Sequence, residues 1–415
     1  MDTLTRRRFL AASGVVGGTA LAAGLTQRSW VDLVTAGLRD PRPEKARILV
    51  LVTLYGGNDA LSTVVPYADP AYRSARPELA YDEQDVLPLG ESLGLNPEMK
   101  GVHSLWKDER LAIIRGIGYP KPDHSHFRSM DIWQTASPER PETTGWLGRW
   151  LDTQPHDPLR AVSLGPVLPP LLAGAKGAGS AVAVGRLAVP GGQRLRPGLT
   201  ALSRPQAGEP PMQAAVAATH ADLFTVAGSL SDPVNAATGK DDEDDDEGAG
   251  TPTGGEGALA RQLDIVARCI TADAPTRVYA VSLGGFDLHA AGKASQSPLL
   301  GQLDQAMAGF LATMAKHPAG RSVVVAAYSE FGRRVAGNAS NGTDHGTAGV
   351  MLVAGQPVRG GFYGEQPSLR DLDKGDLKAT TDFRSAYGEL LEKVLDTEPA
   401  RVLAGPAAGK TLGFL

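Results

Sequence analysis

The sequence predicts an α/β domain, a layered and mainly parallel central sheet with helices on both faces. Three observations predict it. Five short runs are almost continuously aliphatic, as strands buried on both faces are. Segments with apolar residues at helical spacing lie between several of them. Glycine (50) and proline (30) punctuate the connections of the 415-residue chain. Strands alternating with helices build a layered domain.

The first element is not part of that domain. Thr5-Arg6-Arg7-Arg8-Phe9-Leu10 precedes an uncharged run from Ala11 to Leu25 that ends near Ala20-Leu21-Ala22. A basic start, a modestly apolar middle and a small-residue site describe a signal peptide over residues 1–25. Paired arginines followed by Phe-Leu point to the twin-arginine route, with its translocase as an export partner. The run is too short and too weakly apolar to span a bilayer, which takes about 20 apolar residues. No later run is a spanning candidate. The expected location is therefore periplasmic, cell-surface or secreted.

The body of the chain, residues 45–415, reads as one α/β domain. Arg47–Leu54, Leu111–Ile114, Arg277–Leu283, Ser322–Tyr328 and Val350–Val353 are the predicted strands. Ala258–Ala272 reads as a helix. Ser297-Pro298 reads as an N-cap with proline at the first helical position, followed by Leu300, Leu303, Met307, Phe310, Leu311 and Met314 on one face. Asp382–Leu395 is a further helix, with Phe383, Tyr387, Leu390, Leu391 and Val394 in register. Residues 165–257 read as a variable insert. Its first part is rich in Pro, Gly and Leu without periodicity, and Met212–Leu230 has helical character. Its end, residues 239–257, is low in complexity and holds seven successive acids from Asp241 to Glu247. Such a run repels itself and stays solvated and disordered. A calcium loop is the alternative, although the spacing and turn glycine of an EF-hand are missing.

Composition excludes several classes. Hydrophobic residues make up 42% and charged residues 21%, with a net charge of -5 and no basic stripe, so nucleic acid is not an expected partner. The single cysteine, Cys269, allows no intrachain disulfide and no cysteine-rich zinc site. It lies in an apolar helical pattern and reads as a buried, inert thiol. Gly405-Pro406-Ala407-Ala408-Gly409-Lys410-Thr411 is one residue short of a phosphate loop and leaves no room for its helix.

In open α/β sheets, ligands bind beyond the carboxyl ends of the strands. Asp59 follows the first strand in Tyr55-Gly56-Gly57-Asn58-Asp59. Asp287 and His289 follow the third in Gly284-Gly285-Phe286-Asp287-Leu288-His289. Glu330 follows the fourth in Ser329-Glu330-Phe331-Gly332-Arg333, and Asp344 and His345 stand shortly beyond in Gly342-Thr343-Asp344-His345-Gly346. Carboxylates mixed with imidazoles suit Zn, Mn or Fe, while purely oxygen sites suit Mg or Ca. A set of residues merely hydrogen-bonded to one another is the alternative. After the second strand comes Asp123-His124-Ser125-His126-Phe127 and a predicted helix to Thr135. Ser125 at a helix start suits an anion or a nucleophile, and it also suits a plain N-cap. Ser125 and the neighbouring His126 are the catalytic candidates. Arg128 or Arg333 is a candidate to neutralise an oxyanion.

These stretches, with Gly56–Pro66 and Gly145-Trp146-Leu147-Gly148-Arg149, resemble a bacterial family of twin-arginine-exported proteins known as domain of unknown function 1501. That family looks like a distant branch of the alkaline phosphatase and sulfatase superfamily. The resemblance implies an alkaline phosphatase-like fold and a divalent metal, Zn, Mn, Mg or Ca, held by Asp59, Asp287, His289, Glu330, Asp344 and His345. It also implies Ser125 as nucleophile. Glu330 stands where the superfamily usually has Asp, Phe331 where it usually has His, and the sulfatase Cys-x-Pro-x-Arg signature is absent. The implied function is an exported metal-dependent hydrolase of phosphate or related esters on small anionic molecules or polymers. The alternative is a non-catalytic exported binding protein that keeps the fold.

Overall fold

The computed structural model describes residues 46–184, 198–204, 206, 209–237, 257–405 and 410–415. The export segment (residues 1–25), the acidic run and most of the rejected phosphate loop lie outside the described residues.

The expected α/β architecture is present. In chain order the strands are β1 (Ile48–Leu54), β2 (Val64–Val65), β3 (Leu87–Gly90), β4 (Leu93–Leu95), β5 (Leu111–Gly118), β6 (Ala161–Leu164), β7 (Ser180–Val182), β8 (Val278–Leu283), β9 (Val323–Ser329), β10 (Gly349–Ala354), β11 (Gly361–Tyr363), β12 (Leu372–Asp373), β13 (Asp376–Leu377) and β14 (Thr381–Asp382). Nine of them form the central sheet, in the order β11-β5-β10-β9-β1-β8-β6-β7 with β14 beside β5. β2, β3 and β4 form a small separate sheet, and β12 and β13 a hairpin. All five predicted strands lie in the central sheet. β1 pairs in parallel with β8 and β9, and every residue of β1 is buried.

β10 runs against both of its neighbours, β5 and β9. This reversal matters for the site. The segment leading into β10 arrives at the same edge of the sheet as the segments leaving β1, β5, β8 and β9. Five loops therefore meet at one edge.

Alternate residues of β1 feed two cores. Ile48, Val50, Val52 and Leu54 belong to one, and Leu49 and Leu51 to the other. That is the period of two expected of a strand covered on both faces. The principal helices are α1 (His126–Thr135), α2 (Pro211–Ala237), α3 (Ala258–Thr271), α4 (Gly292–Ala315) and α5 (Phe383–Lys393). Leu263 and Val266 of α3 and Leu303 and Met307 of α4 fill the first core. Trp133 of α1 and Phe383, Tyr387 and Leu390 of α5 fill the second. Cys269 is buried in the first core, and burial pushes its thiol up to about 12. Among the described residues no helix is long and apolar enough to cross a membrane.

Two elements depart from the sequence expectation. α4 begins at Gly292, not at Pro298, which lies inside the helix. Its start is set by tertiary contacts: Ala291 N donates to Ser340 O and Gly292 N to Asn341 O. Ser297 Oγ, the expected cap, instead meets Tyr81 Oη at 3.0 Å. A strand, β7, also forms within the stretch read as irregular, because it completes the sheet edge beside β6.

α1 is fastened to the sheet by Trp133, which stacks on Tyr328 of β9 at 5.1 Å and packs on Phe383 at 4.5 Å. Trp133→Ala is expected to cost about 3–5 kcal/mol of stability, measured by chemical denaturation.

Candidate metal centre

The loops at this edge are held together by one buried side chain. Arg333 is 1% exposed. Its Nε donates to Gly57 O at 2.7 Å, its Nη1 to Thr343 O at 2.9 Å, and its Nη2 to Phe286 O at 3.0 Å, to Asp287 Oδ1 at 2.7 Å and to Gly56 O. One guanidinium thus ties the loops after β1, β8 and β9 to the segment before β10. The loops approach too closely for side chains at their contact points. A Cβ on Gly56, whose φ is +115°, would lie 2.4 Å from Asp287 N, and one on Gly342 would lie 2.2 Å from the His289 carbonyl carbon.

Within this frame His126, Asp287 and His345 each present one ligand atom, and the three atoms lie within 4.8 Å of one another. Asp287 Oδ1 is the common point. His126 Nε2 stands 3.4 Å from it, His345 Nε2 3.1 Å and His289 Nε2 2.9 Å. His289 Nε2 is also 3.0 Å from His345 Nε2. His289 therefore joins the group from the Asp287–His345 side.

Each imidazole turns its other nitrogen to an oxygen acceptor. His345 Nδ1 donates to His124 O at 2.7 Å, and His126 Nδ1 to Glu330 Oε1 at 2.8 Å. His289 Nδ1 faces Asp344 Oδ1 at 3.5 Å. A carbonyl or ionised carboxylate only accepts, so Nδ1 carries the proton and the neutral ring's lone pair lies on Nε2. The lone pairs then point at a carboxylate oxygen and, for His289 and His345, at each other. His126 Nε2 is buried without a hydrogen-bond partner. A cation among these atoms satisfies them together. Tetrahedral ligands at roughly 2.0–2.1 Å from zinc stand about 3.3 Å apart, and the separations quoted above run from 2.9 to 3.4 Å. The residues fit a divalent cation with nitrogen-rich ligation.

The electrostatics agree. The hydrogen bond to Glu330 outweighs burial and raises the pKa of His126. Burial pulls the Asp287 carboxyl upward, but the hydrogen bond from Arg333 and the contact with His345, with the charges of Arg333 and His126, bring it down to about 2. The Asp344 carboxyl is lowered, chiefly by its hydrogen bond from Asn338.

The structure thus brings together Asp287, His345 and His126, with His289 touching the first two. It does not bring the other candidates into direct contact with them as ligands. Glu330 lies behind His126, and its oxygens are taken up by Gly56 N, His126 Nδ1 and Ser329 Oγ. Asp344 lies behind His289. Asp59 faces elsewhere: it caps the helical turn Ala60–Thr63, accepts from Ser62 Oγ at 2.6 Å and pairs with buried Arg76 at 2.6 Å. Ser125 is exposed and caps α1, accepting from Arg128 N at 3.5 Å. Phe331 packs against His126 and His345 at 4.8 and 5.0 Å. Neither arginine is placed as the oxyanion partner expected: Arg333 is spent on the loops, and Arg128 pairs with Asp131 at 2.5 Å. Sequence reasoning missed the bracing role of Arg333 and the participation of Asp376, which meets His124 at 2.8 Å. Asp376 sits in a hairpin distant from any predicted strand end and carries no sequence signal.

The depressed Asp287 carboxyl makes a pH prediction for metal-free protein. Its folded value of about 2 lies below the ordinary 3.8, so its stabilisation is complete above 3.8 and is lost as pH falls through about 2. The stability difference between wild type and Asp287→Asn is expected to be present at pH 6 and to shrink across that window, measured by denaturation at stepped pH.

No curated protein matches the chain. Among solved structures it is similar to a protein in the alkaline phosphatase superfamily from Vibrio parahaemolyticus, with 10% identity and a TM-score of 0.41 over 99% of this chain and 78% of that one. Residues 134–387, well over half of the 415, match the model of a protein family of unknown function, DUF1501. That stretch holds Asp287, His289, Glu330, Arg333, Asp344 and His345, and the chain belongs to the DUF1501 family.

Proposed function

We propose that this chain is a metal-dependent hydrolase of phosphate or related esters, acting outside the cytoplasm. The observation that carries this reading is the convergence of imidazole Nε2 atoms on Asp287 Oδ1 while their Nδ1 atoms face oxygen acceptors. His126, Asp287 and His345 are the proposed ligands, with His289 as a fourth. A nitrogen-rich set favours Zn, or Mn and Fe, over Mg and Ca, which take oxygen. A bound cation of this kind supplies charge to offset a substrate oxyanion and lowers the pKa of an attached hydroxyl or water.

The chain's own residues support hydrolysis beside binding. Ser125 is exposed, adjacent to His126, at the start of the ten-residue α1. Free N–H groups and the positive dipole end of the helix favour an anion there. Glu330 and Asp344 hold His126 and His289 in the orientation that a cation requires, as outer partners of metal-binding histidines do. Half of the Asp287 side chain is exposed, so an ester on a bulky molecule or polymer can approach. The export reading rests on Arg6-Arg7-Arg8-Phe9-Leu10. One observation favours the alternative of a non-catalytic exported binding protein: Phe331 offers no ligand atom, and only one cluster of potential metal ligands occurs among the described residues.

Purified protein is expected to contain about one equivalent of zinc or a similar ion by elemental analysis, and His345→Ala to lose it. Protein that holds no metal and hydrolyses no phosphate ester with added Zn, Mn, Mg or Ca would sink the proposal. Ser125→Ala separates the two readings. A fall in kcat of about 100-fold or more with metal content unchanged supports the hydrolase, and equal rates support the binding protein.

A further inference from the structure

We infer that Asp376 is a positioning residue for the cation site, acting through His124 on the tautomer and orientation of His345. The inference rests on the proposed cation site and adds a part that lies outside its ligands.

A ring of three contacts joins distant parts of the chain. His345 Nδ1 donates to the backbone carbonyl of His124 at 2.7 Å. The His124 side chain is held at Nε2 by Asp376 Oδ2 at 2.8 Å. The next residue of β13, Leu377, accepts at its carbonyl from Thr347 Oγ1, two residues beyond His345. The hairpin is thus pinned to the His345 segment at one point and to His124 at another. His124 lies in the irregular stretch between β5 and α1, where the Ser125 N–H bond to Asp123 Oδ1 at 2.7 Å fixes one side of the peptide that carries its carbonyl and the grip on its ring fixes the other. That carbonyl keeps the proton of His345 on Nδ1 and its lone pair on Nε2, so what holds residue 124 also sets the ligand.

The environment of Asp376 argues against a role in folding alone. Its residue is 5% exposed. A carboxylate buried for stability is normally saturated with donors, as Glu389 is by the N–H groups of Leu412, Gly413 and Leu415. Asp376 Oδ1 is buried without a hydrogen-bond partner, and Arg334 Nε reaches only to 3.5 Å of it. Among the described residues, the His124 ring is the donor within hydrogen-bond reach of Asp376. Burying a carboxylate so sparsely costs stability, and what it secures is the direction of the segment that carries His124, Ser125 and His126.

The test measures zinc affinity of the purified full chain by competition with a chromophoric chelator, beside the visible spectrum of the cobalt(II) form and the melting temperature of the metal-free form. Asp376→Ala is expected to weaken zinc by about 10–100-fold and to shift the cobalt spectrum. Asp376→Asn, whose amide oxygen still accepts from His124, is expected to retain most of the affinity. His124→Ala is expected to match Asp376→Ala, and the double variant to be no weaker than either single one. If Asp376→Ala does not fold, Asp376→Asn and His124→Ala carry the same comparison. Wild-type affinity and spectrum in Asp376→Ala or His124→Ala, or losses that add in the double variant, overturn the inference while leaving the cation site standing. Wild-type protein that binds neither zinc nor cobalt overturns the cation site and the inference with it.

Discussion

The guanidinium of Arg333 is the constraint on which the edge of the sheet depends. Five acceptors from three other chain segments converge on it, four of them backbone carbonyls. Loops of this kind carry many carbonyls that no strand or helix satisfies, and a buried carbonyl without a donor is costly. Arginine offers five N–H groups in a rigid fork and stays charged when buried. It therefore answers in one place what several loops lack. The same side chain ends on Asp287, so the scaffold and the ligand share one interaction.

Sheet topology makes this arrangement available. Four parallel strands deliver their following segments to one edge, and antiparallel β10 delivers its preceding segment to the same edge. His345 reaches the cluster only because of that reversal. Phe331 then supports the rings of His126 and His345 from below. Its place as a non-ligand has a physical account: it supplies the packed floor that keeps two imidazoles in fixed orientations.

Much of the fold was legible because burial on both faces leaves a strong trace. Ile48–Leu54 and Val323–Ser329 contain almost nothing polar, and no other element accommodates such runs so close to glycine-rich turns. The start of α4 was not legible. Ser297-Pro298 satisfies the local rules for a helix start, yet the Ser340–Asn341 segment begins the helix six residues earlier. In the site, strand-end position located Asp287, His289 and His345, but it could not rank carboxylates by their partners. Asp59 and Asp287 both follow a central strand and both pair with a buried arginine. Arg76 closes Asp59 off completely, with Ser62 and the Leu61 N–H on the same carboxylate. Arg333 approaches Asp287 from one side and leaves the other to the imidazoles. Only the path of the chain decides between these outcomes.

That difference also bears on how the site handles an anion. Arg333 is buried and bonded to the loops, and Arg128 is paired with Asp131 along its own helix. Asp287, ionised down to about pH 2, brings negative charge where a phosphate ester would bring more. On the proposed reading, added positive charge within the cluster comes from a divalent cation held by the imidazoles. The proposed function thus makes attraction for an anion depend on the proposed cation, with the helix start at Ser125 beside it.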